Sequence, residues 1–547
     1  RDLHSFPTRR SSDLNLISIN LNNFDISFTT KMNYMFNNCS SIIYLNLSSL
    51  KGPQFNNSME NIFNNCNNLI SIDLPNLDIS YTFDSNKIFN EFLNLQYLNL
   101  SHMKAFYNAD FSYMFKNLKN LRTIDLEFFD GSLIDNTMEG MFYDCHNLES
   151  LNLPNLDFSY VYDITNIFKG CESLTYLNLS GFQYSNIRNF SYLFYDCVNL
   201  HAIDLSQFKV SYQINRMDFM FANCKKLLSI YLPNLDLSNT INISHILDGC
   251  SSLKNATIFN IKESKVSDYS YMFNNCTTLE YINMSNFKGS VLNNSMAYMF
   301  NNCNNLITLD LSNLDISYTF DSGKLFNNCR NLKYLNITNL KSVNTSNLSY
   351  IFSNLENLIS IDLKNFKGSQ VHNNMEGLFT NCSKLESLDL SNLDFTFTYN
   401  IKNIFKGCYS LKYLNISKFY SSEISDFNNL FDDCKNIEII DLTNFKGSSK
   451  INRMDFMFNN LERLSSLSLV NLDLSNTNNM SYMFNGCSSL NEIKIANLKE
   501  SSVKDYSYMF NNCLSLKYIN LNNIQVSKER NTMEYMFNNC INLIKII

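Results

Sequence analysis

The apolar positions of this chain fall into a pattern that recurs from end to end. In Met480-Ser481-Tyr482-Met483-Phe484-Asn485-Gly486-Cys487, the residues Met480, Met483, Phe484 and Cys487 hold the i, i+3, i+4, i+7 spacing of one helical face. Past the cysteine the rhythm shortens to Leu490, Ile493, Ile495 and Leu498, and Ile493-Lys494-Ile495 alternates with period two, as a strand does. Each repeat therefore predicts a short amphipathic helix, a tight turn and a short strand. Neither piece buries its apolar face alone, so copies must stack.

Aligning on the cysteine gives twenty equivalent slots, spaced 27, 26 and 26 residues in a triplet that makes a 79-residue period. Sixteen slots hold the chain's sixteen cysteines, and the others hold Phe92, Leu118, Leu355 and Leu461. A longer period of 237 residues is also present: Ile214–Phe221 recurs as Ile451–Phe458, and Ile79–Ser85 as Ile316–Ser322. The prediction is an α/β solenoid of about 20 units, each a short helix plus a short strand of one continuous parallel sheet. Residues 15–547 read as a single uncapped solenoid. Residues 1–14 share nothing with the repeat and look like the in-frame translation of a sequencing adaptor, so they are set aside as non-structural. With no starting methionine and an end in mid-strand, the chain reads as a fragment of a longer protein.

Connector chemistry differs among the three repeat types. Glycine recurs in Lys51-Gly52, Asp130-Gly131, Lys288-Gly289, Lys367-Gly368 and Lys446-Gly447, where a turn needs positive φ. Asp78, Asp157, Asp236, Asp315, Asp394 and Asp473 mark a second connector, and Asp110, Asn189, Asp268, Asn347, Asp426 and Asp505 stand where a helix N-cap would. These aspartates read as turn and cap chemistry.

Three columns run through the repeats. Three residues before the slot, phenylalanine occupies nineteen of twenty positions, with Leu247 the exception, which makes it a core column instead of a local cofactor pocket. The cysteines share their slot with leucine and phenylalanine, so they read as buried reduced thiols in an apolar hole; disulfides between stacked neighbours remain open on distance. No C-x₂-C pair suggests a metal. Seven residues after the slot, fifteen of twenty residues are Asn or Asp, types that strands disfavour. Either a hydrogen-bond ladder between repeats or a row of acceptors for a ligand accounts for them; Asn99, Asp125, Asn336 and Asp362 are the candidates. Two residues earlier on the same face come Tyr44, Tyr97, Tyr176, Tyr281, Tyr334, Tyr413 and Tyr518, whose large rings and polar tips suit recognition as well as strand formation.

Composition narrows the functional classes. Hydrophobic residues make up 45% and charged residues 17%, as a folded chain requires, and a net charge of −7 gives no footprint for nucleic acid. No apolar run reaches the length of a membrane span. The heavy use of Asn, Ile and Lys reads in part as nucleotide bias, which also makes Asn-x-Ser/Thr sequons such as Asn99-Leu-Ser101 common by chance. The six histidines share no slot with a nucleophile, and no phosphate loop or zinc-hydrolase motif is present, so no enzyme and no cofactor is predicted.

The frame Met-Phe-x-x-Cys-x-x-Leu-x-x-Leu-Asp-Leu-Ser-x-Leu-Asp-x-Ser, nearly intact from Met299 to Ser317, resembles the BspA-like leucine-rich repeat family over residues 15–547. That resemblance implies a leucine-rich-repeat-type solenoid on a cell surface or secreted, adhering to host proteins or other cells. The expected function is a non-catalytic binding or adhesion module for a protein or glycan. An intracellular scaffold and a structural surface-coat rod remain as alternatives. The family has no fixed ligand residues, so the Tyr and Asn/Asp columns rest on the pattern alone.

Overall fold

The computed structural model describes residues 19, 21, 28–49, 58–82, 85–89, 92–105, 110–129, 138–153, 161–179, 187–203, 214–232, 239–258, 265–284, 287–417, 423–442, 451–470, 474–495, 503–521 and 530–547. Residues 1–14, Asp157, Asp204, Asp236, Asp473 and the pairs Lys51-Gly52, Asp130-Gly131 and Lys446-Gly447 lie outside them. The chain divides into two compact bodies, residues 1–260 and 261–547.

In the first body the strands β1 (Tyr44–Asn46), β2 (Ser71–Asp73), β3 (Tyr97–Asn99), β4 (Thr123–Asp125), β5 (Ser150–Asn152) and β6 (Tyr176–Asn178) form one parallel sheet in sequence order. Register is strict: Tyr44 faces Ser71, Ser71 faces Tyr97, and Tyr97 faces Thr123. The predicted alternation holds, with Leu45, Ile72, Leu98 and Ile124 buried between outward neighbours. In the second body Thr308–Asp310 pairs with Tyr334–Asn336, Ser387–Asp389 with Tyr413–Asn415, and Ser466–Leu469 with Glu492–Ile495, all parallel. A second line of parallel bridges runs eight residues before the slot, through Asp163, Asn189, Arg216 and Asn242 in the first body and Asp426, Arg453, Asn479, Asp505 and Thr532 in the second. Each body is thus a parallel β-solenoid.

The predicted helix does not form. Among the described residues the only helical segment is the 3-10 turn Ser85–Lys87. Where a helix was expected, two residues take left-handed φ in every repeat but that of Phe92, five before and one before the slot, as in Tyr113 (58°) and Asn117 (62°) or Tyr508 (57°) and Asn512 (61°). Backbone donors then alternate in direction. Met114 N–H donates to Phe111 O (3.2 Å) and Lys116 N–H to Tyr113 O (3.1 Å) inside the repeat. Tyr113, Phe115 and Asn117 donate instead to Glu139, Met141 and Tyr143 of the next repeat, at 2.8, 2.9 and 2.8 Å. The reason is spatial. A helix is about 10 Å across, whereas rungs of a parallel stack lie about 4.8 Å apart. A chain of turns fits that spacing, and its cross-repeat bonds replace those a helix would keep to itself.

The phenylalanine column is core, as the pattern predicts. Within the first body Phe142, Phe168 and Phe194 stack at centroid distances of 5.9 and 5.5 Å; within the second Phe458, Phe484 and Phe510 do so at 5.4 and 5.3 Å. None of the sixteen cysteines is in a disulfide, and fourteen are buried. Their thiols reach back one repeat, Cys171 Sγ to Phe142 O and Cys487 Sγ to Phe458 O, at 3.2 and 3.1 Å. Burial pushes the Cys145 and Cys487 thiols up to about 12. The glycine connectors also behave as expected: Gly289 and Gly368 sit at φ +83° and +85°, and a Cβ on Gly289 would lie 2.8 Å from Asp315 O.

The supposed N-cap residues cap turns. Asp110 Oδ1 accepts from Ser112 N–H at 2.9 Å and Asp505 Oδ1 from Ser507 N–H at 2.9 Å. The connector aspartates act likewise, Asp78 on Ser80 (3.0 Å) and Asp315 on Ser317 (2.8 Å).

Candidate ligand-binding face

The outward residues of the strands form a surface whose chemistry changes from repeat to repeat. All seven tyrosines of the predicted column stand on it, from 36% exposed at Tyr97 to 74% at Tyr413. In the first body Tyr44 and Tyr97 stand on β1 and β3, alternating with Ser71 and Thr123, and Tyr176 stands on β6. Tyr44 donates its hydroxyl to Asp73 Oδ2 at 2.7 Å, a bond to a carboxylate that raises its pKa. Burial, then the carboxylates of Asp73 and Asp125, push Tyr97 the same way.

The Asn/Asp column has a structural task that explains its presence on strands. Where the residue two on is not proline, the side chain accepts its backbone N–H and so ends the strand, as Asn99 does from Ser101 (3.0 Å), Asp125 from Glu127 (2.8 Å), Asp310 from Ser312 (2.8 Å), Asn336 from Thr338 (3.4 Å) and Asp362 from Lys364 (3.0 Å). Lateral bonds of the expected ladder occur at Asn99 Nδ2 to Asp73 Oδ1 (2.9 Å) and Asn178 Nδ2 to Asn152 Oδ1 (2.7 Å). Because these turns use Oδ1, the second carboxylate oxygen of Asp125, Asp310 and Asp362 takes no part in the strand-ending bond. Burial raises the Asp310 pKa, but the Ser312 N–H and hydroxyl and the Asn336 amide outweigh it and hold the carboxyl below its ordinary value, hence ionised.

In the second body this face opens a groove of about 780 Å³. It brings together Tyr281, Tyr334, Asn336 and Asp362 from the predicted columns, with Asn283 and Asp310 between them. Tyr413 and Tyr518 stand on other strands of the same body, outside the groove lining. The sequence reading missed Lys333 and Ile359, which also line it from the position four after the slot. Their signal was present: that column holds exposed Ile307 and Ile359 on either side of Lys333, apolar residues outside any helical or strand stripe. Among the described residues no cluster of His, Cys, Asp and Glu could hold a metal ion, and no helix is long and apolar enough to cross a membrane.

A different ladder lies on the turn face, and the sequence reading did not place it. In the second body Asn459 donates to Asp432, Asn485 to Asn459, Asn511 to Asn485 and Asn538 to Asn511, at 2.7, 2.7, 2.6 and 2.7 Å. Beside it Phe456, Tyr482 and Tyr508 stack at 4.6 and 4.5 Å. Asparagine usage thus has a structural cause, side chains bonding to their copies one repeat away.

Among solved structures, three similar ones are leucine-rich repeat proteins. A leucine-rich cell surface protein of Faecalibacterium prausnitzii is 14% identical, covering 78% of this chain and 83% of its own, with a TM-score of 0.27. A leucine-rich repeat protein of Bacteroides ovatus is 15% identical, covering 92% and 82%, with a TM-score of 0.20. One from Eubacterium ventriosum is 15% identical, covering 62% and 83%, with a TM-score of 0.30. No curated protein matches the chain. The family described as "Mycoplasma protein of unknown function, DUF285" matches residues 9–116, 109–232, 215–340, 321–445 and 425–546, and the chain belongs to that family.

Proposed function

We propose that the chain is a non-catalytic, protein-binding module of a secreted or cell-surface protein, a BspA-like leucine-rich repeat adhesin, with the outward strand face as its recognition surface. One observation carries this reading. In the second body the asparagine ladder of the turn face and the phenylalanine stack of the core join neighbouring repeats, while the strand face keeps exposed tyrosines and variable neighbours, gathered around a groove. Tyrosine there offers contact area at little entropic cost. The test coats beads with the chain and measures attachment to cells. Tyr281→Ala with Tyr334→Ala is expected to reduce attachment strongly, and Tyr482→Ala on the turn face to leave it unchanged. Equal attachment by all three proteins would favour the structural rod.

A further inference from the structure

The groove of the second body has a period of its own. Tyr281 and Tyr334 lie two repeats apart, as do Asn283 and Asn336, and Asp310 and Asp362. With rungs about 4.8 Å apart, each of these pairs recurs at about 9.6 Å. A ligand that used both members of a pair would need a side-chain period near that length. An extended strand returns a side chain to the same side every two residues, about 6.7 Å, and is out of phase by the second tyrosine. A polyproline II helix rises about 3.1 Å per residue with three residues per turn, so its period is about 9.3 Å.

We infer that this groove takes a proline-rich segment in the polyproline II conformation that carries a basic side chain at every third position. The inference rests on the strand face being the recognition surface. Its chemistry matches at each point. A polyproline II backbone has no internal hydrogen bonds, so its carbonyls accept from the hydroxyls of Tyr281 and Tyr334. Exposed rings of Tyr281 and Tyr334, with Ile359 beside them, supply the apolar walls against which proline packs. The carboxylates of Asp310 and Asp362 stand on the intervening repeats, where a cationic side chain of the ligand would reach them. Lys333, on the repeat between those carboxylates, and Lys364, 3.7 Å from Asp362 Oδ2, set the competing positive charge, which makes Asp310 the stronger anchor. Because the ligand is stiff before it binds, it loses little entropy on docking.

The test titrates the full chain into dye-labelled peptides and reads fluorescence anisotropy. The peptide of repeated Pro-Pro-Lys triplets is expected to bind about tenfold or more tightly than one of the same composition with its lysines grouped at one end, and than a Pro-Pro-Glu repeat. Tyr281→Ala and Tyr334→Ala should each weaken it about tenfold, which is about 1.4 kcal/mol, and Asp310→Asn should weaken it and reduce its salt dependence. Tyr482→Ala, with unchanged circular dichroism, serves as the control. Equal affinity for the grouped peptide, displacement by an uncharged β-1,4-linked oligosaccharide at equal potency, or indifference to Tyr334→Ala overturns the inference. If no peptide binds while the bead assay still responds to Tyr281→Ala with Tyr334→Ala, the ligand class falls and the recognition surface stands. If both fail, both fall.

Discussion

The turn face and the strand face of the second body are built from the same repeats and behave oppositely. On the turn face Asn485 gives its amide to Asn459 and receives that of Asn511, Phe484 lies between Phe458 and Phe510, and the Phe484 N–H bonds to Met509 O one repeat on. From Asp432 to Asn538 each such side chain is satisfied by the same position one repeat away, so a polar or aromatic partner recurs there. On the strand face the backbone of Thr308 and Tyr334 is satisfied by pairing and the side chains at that position are left to solvent, so Thr308, Tyr334 and Ser360 can follow one another without breaking the stack. Side chains bonded across the turn face and core make the stack's stability, and exposed side chains of the strand face are the ones a ligand can reach. Substitutions that respect this division should separate folding from binding.

The largest effect expected is collective. The Cys487 thiol titrates near 9.0 when the chain is unfolded and at about 12 when folded, because burial disfavours the thiolate, and Cys145 behaves alike. Between those values the unfolded chain holds fewer protons than the folded one. Stability is full below about pH 9 and falls as pH rises towards about 12. Thermal melts followed by circular dichroism should show this loss, and Cys487→Leu, in a slot that already accepts Leu461, should reduce it by one repeat's share. A melting temperature flat from about pH 8 to about pH 11 would mean that the thiols meet water.

Single substitutions come next. Phe484→Ala removes a fully buried ring from a stack and should cost about 3–5 kcal/mol in urea unfolding of the full chain. Asn485→Leu cuts two ladder bonds and should cost about 2 kcal/mol, at about 1 kcal/mol net for each. A smaller loss for Asn485→Leu than for an exposed strand-face residue would erase the distinction between the faces.

The sequence carried the repeat, the strand register and the core columns, because burial imposes apolar residues at fixed spacing. It misled on the helix. Two successive turns with left-handed residues four apart place apolar side chains at the same i, i+3, i+4, i+7 positions as a helix does. The distinguishing signal lay one residue before the slot, where Asn, Asp or Gly fills nineteen of twenty positions and Glu91 is the exception. Those are the residue types that tolerate left-handed φ, and a helical turn has no reason to select them so uniformly. Of the binding face, the tyrosine column was legible from period-two alternation. The groove was not, since Lys333 and Ile359 belong to a column that alternation assigns to neither face. The same limit hid the amide ladder of the turn face, whose bonds between copies depend on a stacking distance that one repeat's composition does not contain.

The smallest expected effect is the one that tests the comparison most closely. Tyr334 is 69% exposed and is the first residue of a paired strand whose backbone bonds do not depend on its ring. Tyr334→Ala should therefore change unfolding stability by no more than about 0.5 kcal/mol. Some loss is anticipated from strand propensity alone, since alanine suits a strand less than tyrosine does. Tyr334→Thr removes that contribution, because threonine already occupies the same position in the preceding repeat as Thr308. If Tyr334→Thr matches the parent chain in urea and still loses attachment, the ring serves the ligand and the repeat does not need it. If it unfolds as readily as Phe484→Ala, the strand face is part of the stack's own cohesion, and the separation between stability and recognition does not hold.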